Sequence, residues 1–294
     1  MLHSFLNVKI SLMVGIGGGA PTSEHDIRLG DVVVGASSNG RGTVFRYDFG
    51  KAVQGQEFQW TGFLNHPPTI LRAAVHGLLT QYELEGHQLD KYINDILKEN
   101  PRLKKESQRP ESSTDRLYHS SKIHPPDDQS SCAKACGDDS LTMVVRPDRT
   151  EYQDNPAIHY GLIASSNRLM KDALIRDALA AKKGVFCFEM EVAGLMNHFP
   201  CLVIRGICDY SDSHKTKEWQ GFAATMAAAY AKNLLCQIRP NKVKAEEPIS
   251  EVLSSIESTG NETKHVVMSM ASDHRFAKIK RLLSPPDCST NAED

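Results

Sequence analysis

Short apolar runs alternate with segments of helical periodicity along most of the chain. The apolar runs predict strands at residues 10–16, 31–35, 44–49, 158–165, 185–189 and 201–207. Apolar residues spaced three or four positions apart predict helices at residues 69–79, 90–98, 169–182, 192–198 and 219–238. The apolar stripe of the last helix consists of Phe222, Met226, Tyr230 and Leu234. Strands that alternate with helices predict an α/β fold with a largely parallel sheet.

Two polar regions interrupt this pattern. Residues 100–156 are rich in Ser, Pro, Asp, Lys and Arg and lack hydrophobic periodicity, which is typical of a long insertion loop or a partly disordered segment. Residues 239–294 are also polar, with a short basic helix predicted at residues 274–283. We therefore expect one domain over residues 1–238, with a flexible insertion at about 100–156, followed by a tail or linker.

Composition narrows the classes of partner. The chain has 294 residues and a formal net charge of −2, which argues against a nucleic-acid-binding protein. No apolar run approaches the ~20 residues of a membrane helix, so we expect no membrane partner. The seven cysteines are odd in number and three lie in strand-like apolar runs, which favours reduced thiols in a cytoplasmic or nuclear protein over a secreted one. The N-terminal apolar run breaks into glycines, which favours a strand entering a glycine turn over a signal peptide.

Carboxylates follow two of the predicted strands. Glu189 and Glu191 end one apolar run, and Asp209 ends the next. Buried strands rarely carry charge without a partner, and ligands of open α/β sheets bind at the carboxyl ends of the strands. A carboxylate accepts two hydrogen bonds from a vicinal diol, and the thioether of Met190 offers a soft surface to a sugar or base. Alternatively, Glu191 stabilises the dipole of a following helix.

Other polar residues leave alternatives open. Asp209 is a candidate general acid toward a leaving group, or a cap for the residues after it. Arg205 pairs with one of the acids, binds an anion, or does both. The glycines of residues 15–19, including Gly17 and Gly18, let backbone amides approach a sugar or phosphate.

Two cysteines, Cys132 and Cys136, follow His119 and His124 with loose zinc-like spacing. Two surface thiols in a flexible loop are the favoured interpretation of this pattern. We therefore expect no metal and no cofactor.

Six stretches together resemble the superfamily of purine nucleoside phosphorylases and nucleosidases. They are Val14–Pro21, Asp26–Val34, Tyr47–Lys51, His159–Ser165, Phe188–Glu191 and Arg205–Asp209. The resemblance covers residues 8–238 and is strongest to the fungal branch, whose domain often begins multidomain NLR-like and ankyrin-repeat proteins. It implies a three-layer sandwich in which helices flank a central, mostly parallel mixed β-sheet.

The resemblance also implies an activity, cleavage of the N-glycosidic bond in purine nucleoside metabolism. By position, Asp209 matches the aspartate that protonates the leaving purine, and Glu191 matches the glutamate that holds the ribose hydroxyls. Met190 matches the methionine beneath the sugar, and Glu189 is expected to shape the pocket. Leu169 and Met170 match positions that flank the base. An adenine-containing nucleoside, or a nucleotide such as ATP, is the expected substrate, with Arg205 or Arg28 as candidates for a phosphate tail.

The chain departs from the family pattern in three ways. Met13 and Ile16 stand where the phosphorylases place an arginine and a serine for phosphate, so hydrolysis is expected rather than phosphorolysis. Cys208 stands where a serine often precedes the catalytic aspartate. Family members have two or three strands before the segment equivalent to Val8–Gly15, so the site is expected to be incomplete on the side of the nucleophile.

Two functional hypotheses follow. The first is an enzyme that forms a homo-oligomer, as its relatives do. The second is a weak or inactive nucleoside-sensing or interaction domain derived from a multidomain NLR-like protein.

Overall fold

A computed structural model shows a mixed sheet with helices packed around it. It describes residues 7–36, 42–55, 58–63, 66–128, 130–194, 200–214 and 216–255, and positions 258, 259, 261, 262 and 264. The strands are β1 (Leu12–Gly19), β2 (Val32–Gly35), β3 (Val44–Lys51), β4 (Gln59–Phe63), β5 (Ile158–Ser165), β6 (Val185–Glu189) and β7 (Leu202–Asp209). The helices are α1 (Thr69–Glu85), α2 (Leu89–Glu99), α3 (Pro101–Ser107), α4 (Cys132–Ala135), α5 (Ala173–Lys183), α6 (Gln220–Gln237) and α7 (Pro240–Ala245).

The sheet closes on itself. Its strand order is β2-β7-β1-β6-β5-β3-β4, and β2 also pairs with β5, so that β2, β7, β1, β6 and β5 form a ring. The β1–β7, β2–β5, β3–β5 and β5–β6 pairs are parallel. The β1–β6, β2–β7 and β3–β4 pairs are antiparallel. The mixed α/β fold is therefore confirmed, whereas the three-layer arrangement is not, because the sheet is barrel-like.

The prediction of a glycine turn after the first strand is wrong. Residues 17–19 continue β1, which pairs with β7 from Leu12↔Leu202 onward and with β6 at Gly18↔Phe188 and Gly19↔Cys187. Glycine is unfavourable inside a strand unless another group approaches the backbone closely. Side chains from β7 make that approach, as described below.

Helix α6 packs against the sheet as its apolar stripe predicts. Phe222, Met226, Tyr230 and Leu234 are all buried. A Cβ at Gly206 of β7 would lie 1.9 Å from the carbonyl oxygen of Ala223, so the backbones of β7 and α6 are almost in contact. The stripe therefore meets the strand that carries Arg205 and ends at Asp209.

Three predicted helices differ from the structure. Helix α1 continues to Glu85, and α5 begins at Ala173 because the Asp172 side chain accepts hydrogen bonds from the amides of Leu174 and Ile175. The segment after β6 begins as a 3₁₀ turn at Val192–Gly194, and the rest of that predicted helix lies outside the described residues. The predicted basic helix at residues 274–283 also lies outside them.

Residues 100–156, the expected insertion, hold α3, α4 and an isolated bridge between Tyr118 and Met143. A buried ion pair joins this segment to the sheet. Arg149 donates to both carboxylate oxygens of Asp31, at 2.7 and 2.6 Å, and His159 Nε2 lies 2.9 Å from the same carboxylate. The segment is thus anchored where β2 begins. The boundaries at residues 100, 156 and 238 stay predictions.

The chain divides into two units. One comprises residues 9–246 and contains the sheet and α1–α7. The other comprises residues 1–8 and 247–294, in which the Ile249 amide donates to the Val8 carbonyl and residues 249–255 are helical. Within the described residues, no helix has both the length and the apolar character that a membrane span requires.

Candidate functional site

The side chain of Arg205 crosses β1. Arg205 lies on β7 and Glu189 ends β6, with β1 between the two strands. The guanidinium Nη2 lies 2.5 Å from Glu189 Oε2 and 3.0 Å from Glu191 Oε2. A Cβ at Gly15 would lie 2.2 Å from Arg205 Nη1, and a Cβ at Gly17 would lie 3.4 Å from Arg205 Cβ. The glycines of β1 therefore leave the space through which the guanidinium reaches the carboxylates. We call Arg205, Glu189 and Glu191 the carboxylate–arginine cluster.

Glu189 is the buried end of this cluster. Both Glu189 and Arg205 are almost fully buried. The Glu189 carboxylate also accepts hydrogen bonds from the amides of Glu191, at 3.1 Å, and Val192, at 3.2 Å. Burial raises the pKa of Glu189, and the positive charge of Arg205 opposes that effect. Glu189 therefore fixes Arg205 and the backbone of the turn after β6.

Glu191 and Met190 form the accessible end. The Glu191 side chain is 59% exposed although it pairs with Arg205, and Met190 is 39% exposed. An ionised carboxylate has about four lone-pair sites, so the bond from Arg205 leaves acceptors open to solvent. Glu191 is thus held by one cation and remains able to accept further hydrogen bonds.

Asp209 lies beside the next residue of β1. A Cβ at Gly18 would lie 2.5 Å from Asp209 Oδ1 and 2.1 Å from Ser211 Oγ, so only glycine leaves room for both groups. The Ser211 amide donates to Asp209 Oδ1 at 2.8 Å, as expected of a cap. The Cys208 thiol lies 3.4 Å from Asp209 Oδ2 and 3.6 Å from the Gly17 carbonyl oxygen. Among the described residues, the buried Ser211 hydroxyl has no hydrogen-bond partner.

The two acidic strand ends meet around the same part of β1. Gly18 pairs with Phe188 of β6 on one side and with Asp209 of β7 on the other. Neighbouring strands lie ≈4.8 Å apart, which puts the Glu189 and Asp209 backbones about 10 Å from each other. Gly17 and Gly18, predicted to bind substrate, lie between them.

The two residues predicted to flank the base differ in their exposure to solvent. Leu169 is 51% exposed, whereas Met170 is buried in a core with Phe45 and Phe188. Leu169 is therefore the accessible member of the pair.

Tyr47 and Ser165 also lie next to the cluster, although neither was among the predicted site residues. Tyr47 packs edge-on to Phe188, and burial raises its pKa, with the charges of Asp48 and Glu189 acting in the same direction. Ser165 Oγ accepts the Ala193 amide at 2.9 Å. Both residues belong to stretches that carry the family resemblance, and that was the signal that could have found them.

Met13 and Ile16 lie on β1 and pack against the main core.

Arg28 lies outside the carboxylate–arginine cluster and is paired with Asp26 at 2.7 Å. It lines a cavity of about 740 Å³ between residues 21–28, the insertion and α5. The predicted catalytic and sugar-binding residues do not line this cavity, but Arg176 does and donates to the carbonyl oxygen of Tyr210 at 2.8 Å. The cavity thus adjoins the segment directly after Asp209.

Comparisons with known proteins identify one long relative. The chain is 43% identical over 244 residues to a nucleotide-binding leucine-rich repeat (NLR)-like protein of Hyaloscypha variabilis. The match covers 83% of this chain and 23% of the relative, so the chain spans about a quarter of that protein's length. No family model matches the sequence.

The solved structures that match this chain include nucleosidases. Futalosine hydrolase of Helicobacter pylori strain 26695 is 13% identical with a TM-score of 0.42, and the match covers 81% of this chain and 71% of that one. The 5'-methylthioadenosine/S-adenosylhomocysteine nucleosidase of Neisseria meningitidis, in complex with methylthio-immucillin-A, is 15% identical with a TM-score of 0.42 and the same coverage.

Proposed function

We propose that this chain cleaves the N-glycosidic bond of a purine nucleoside or nucleotide, with water as the nucleophile. The observation that supports this most is the carboxylate–arginine cluster, in which Arg205 crosses a glycine-lined strand to hold Glu189 and Glu191. A structural ion pair requires only one carboxylate. Here a second carboxylate is held at the surface, and a third acid ends β7 on the other side of β1.

In the proposed reaction, Glu191 accepts hydrogen bonds from the two ribose hydroxyls, and Met190 lies against the sugar. The bond from the anomeric carbon to the base nitrogen breaks, and its electron pair goes to the base. Asp209 acts as the general acid and transfers a proton to the leaving base. Water adds to the anomeric carbon, and the proton that this water loses is returned to Asp209. The negative charge of Glu191 stabilises the oxocarbenium-like sugar, an interaction stronger in the transition state than in the ground state.

Water is the proposed nucleophile because of the side chains on β1. Met13 and Ile16 have no hydrogen-bond donor in their side chains, so neither binds phosphate as an arginine or serine does. Exposed Leu169 is proposed to contact the base. Adenine as the base, a cytoplasmic or nuclear location and self-association are further parts of this proposal.

Base release tests the proposal directly. The purified chain is incubated with adenosine, methylthioadenosine, inosine and ATP, with and without phosphate, and free base is measured by chromatography. We expect base release without phosphate. Release that requires phosphate would contradict the assignment of water as the nucleophile.

Two variants test the assigned roles. Asp209→Asn removes the proton donor, so we expect turnover to fall by roughly 10²–10⁴ while nucleoside binding is largely kept. Glu191→Gln removes the charge near the sugar and is expected to weaken both turnover and binding. Glu83→Gln, at an exposed position of α1, is the matched control and should leave turnover unchanged. Equal turnover in Asp209→Asn and the wild-type chain would exclude Asp209 as the general acid.

A second candidate function is nucleoside binding without catalysis. The relative from Hyaloscypha variabilis favours this function, because it is an NLR-like protein and this chain matches only 23% of its length. Binding measured by calorimetry, with no base release under any condition above, would support this function and exclude the enzyme.

A further inference from the structure

Two thiols and an imidazole come together in the insertion. His124 Nδ1 lies 3.3 Å from Cys136 Sγ and 3.7 Å from Cys132 Sγ. Both thiols are free, and they lie at the start and just past the end of the short helix α4. This group is separate from the carboxylate–arginine cluster, and the proposed function does not use it.

The distances within this group are those of ligands around one zinc ion. In a tetrahedral site with Zn–S of 2.3 Å and Zn–N of 2.0–2.1 Å, nitrogen and sulphur ligands lie about 3.5 Å apart. The two observed N···S distances lie on either side of this value. Hydrogen bonding of one imidazole nitrogen to two thiols is a weak arrangement, whereas sharing a metal with two thiolates is a strong one.

The other nitrogen of the His124 ring is arranged as in many metal-binding histidines. His124 Nε2 lies 2.9 Å from the carbonyl oxygen of Asp128, to which it donates its proton. This hydrogen bond leaves the lone pair on Nδ1, directed toward the two sulphurs. A backbone carbonyl that fixes the tautomer in this way is a common outer partner of zinc-binding histidines.

His214 is the candidate for a fourth ligand. Its side chain is buried, and its Nδ1 lies 3.5 Å from Asp212 Oδ2, whereas its Nε2 has no hydrogen-bond partner among the described residues. A carboxylate beside one imidazole nitrogen is a common outer partner of zinc-binding histidines, whose other nitrogen binds the metal. The His214 ring lies 6.0 Å from the His124 ring, and its carbonyl oxygen lies 3.8 Å from Cys132 Sγ. We call His124, Cys132, Cys136 and His214 the thiol–imidazole cluster.

Within the described part of the chain, no three His, Cys, Asp or Glu side chains are placed so that they could hold a metal ion. A metal site here therefore requires the two sulphurs and the His214 ring, which stacks on Tyr118 at 4.1 Å, to turn toward one point. We propose that the thiol–imidazole cluster binds one zinc ion through Cys132, Cys136, His124 and His214.

Binding converts both thiols to thiolates and releases two protons, so the two thiolates balance the charge of Zn²⁺. The ion would join residues 118–136 of the insertion to residues 210–214, the loop that directly follows Asp209. A bond from the His124 amide to Ser213 Oγ, at 2.9 Å, already links these segments.

Metal content tests the proposal. The full chain is expressed in zinc-supplemented medium, purified without chelator, and measured by elemental analysis. We expect about one zinc per chain, and less than about a tenth of that in the C132S/C136S variant. C236S is the matched control, because Cys236 is an exposed cysteine of α6. Zinc below a tenth of an equivalent in the wild-type chain would refute the site, as would equal retention in C132S/C136S.

A second measurement does not depend on how well the double variant folds. Co(II) added to the chelator-treated wild-type chain should give a thiolate-to-metal charge-transfer band and the visible bands of tetrahedral cobalt. Zinc should also slow alkylation of the partly exposed Cys132, followed by mass spectrometry, while leaving the exposed Cys236 unchanged. A Cys132–Cys136 disulfide in the chain as purified, or alkylation of Cys132 at the same rate with and without zinc, would contradict the proposal.

Discussion

At the scale of single residues, two buried charges hold distant parts of the chain together. Asp31 joins the insertion to β2 through Arg149, and Arg205 joins β7 to the end of β6 through Glu189. Removing one partner of such a pair leaves an uncompensated charge, which is worse than removing both. Both pairs therefore lead to predictions about stability.

Asp31 makes stability depend on acid pH. Burial by itself raises the pKa of Asp31, but hydrogen bonds from Arg149 and His159 outweigh it and lower the pKa from 3.8 to about 2. The ionised carboxylate therefore stabilises the fold above pH 3.8, and this contribution is lost as the pH falls toward 2. A shift of this size corresponds to about 2 kcal/mol.

We predict that Asp31→Asn lowers the free energy of unfolding at pH 7 by about 2 kcal/mol or more. The difference from the wild-type chain should shrink between pH 4 and pH 2. Urea denaturation at a series of pH values measures it. Asp95→Asn, which breaks the exposed pair with Lys98, is the control and should change stability by less than about 1 kcal/mol. A difference independent of pH would show that Asp31 acts through packing alone.

Arg205→Met tests the carboxylate–arginine cluster as a buried pair. We predict a loss of about 3–5 kcal/mol in the free energy of unfolding, because Glu189 is left buried without its cation. The double variant Arg205→Met/Glu189→Met should recover part of that loss. Chemical denaturation measures all three chains, with Lys98→Met as the exposed control. If the double variant is no more stable than Arg205→Met, the two residues do not act as a pair.

At the scale of elements, β1 and β7 depend on each other and on α6. The glycines of β1 give space to side chains of β7, and Gly206 of β7 gives space to the backbone of α6. The contact at Gly206 is the tighter one, because backbone atoms face it and cannot rotate away.

Gly206→Ala should therefore destabilise the chain strongly. The new methyl would lie 1.9 Å from the Ala223 carbonyl oxygen, so β7 and α6 would have to separate. We predict a loss of at least about 3 kcal/mol, in the upper range of core overpacking. Gly77→Ala in α1 is the control. Apart from the adjoining residues and backbone of its own helix, no described atom lies within 4 Å of its Cβ position, so a small gain of roughly 0.5–1 kcal/mol is expected. Equal melting temperatures for the two variants would contradict this account of the packing.

Regular elements were predictable where local sequence determines them. The bounds of β5 and β6 match the predicted strands, because each is an apolar run between polar or turn-forming residues. The prediction for β1 was wrong at its glycines. They make room for the side chain of Arg205, which is distant in the sequence, and do not form a local turn. For the site, pairing of Arg205 with an acid was one of the open alternatives. The burial of Met170 and the nearby position of Tyr47 depend on how separate strands pack, which one strand's sequence does not determine.

At the scale of the whole molecule, the strands of the ring differ from the strand at the edge of the sheet. Every strand of the ring pairs on both sides, whereas β4 lies at the end of the strand order. The alternation of strands and helices predicted an α/β protein, but it carried no information on closure. Closure depends on β2 pairing with β5, and these strands lie more than a hundred residues apart.

The ring predicts a pattern of amide exchange. Peptides that cover residues 31–35, 158–165 and 202–209 should exchange only when the whole domain unfolds. Residues 59–63 of β4 should exchange faster, through local opening at the edge. Hydrogen–deuterium exchange followed by mass spectrometry measures both rates on the same sample. Exchange of residues 31–35 as fast as that of residues 59–63 would mean that β2 does not close the ring in solution.

The pairing of β2 with β5 also has a consequence for how the chain folds. The loop that it closes contains the hairpin of β3 and β4, helices α1–α4 and the whole insertion. Closing so long a loop is entropically unfavourable and slows folding, because the contacts that stabilise the closed loop form only after it has closed. The Asp31–Arg149 pair lies at the base of this loop and shortens it when it forms. We therefore expect the insertion to guide β2 toward β5, so that a segment with little regular structure of its own sets the pace at which the sheet closes.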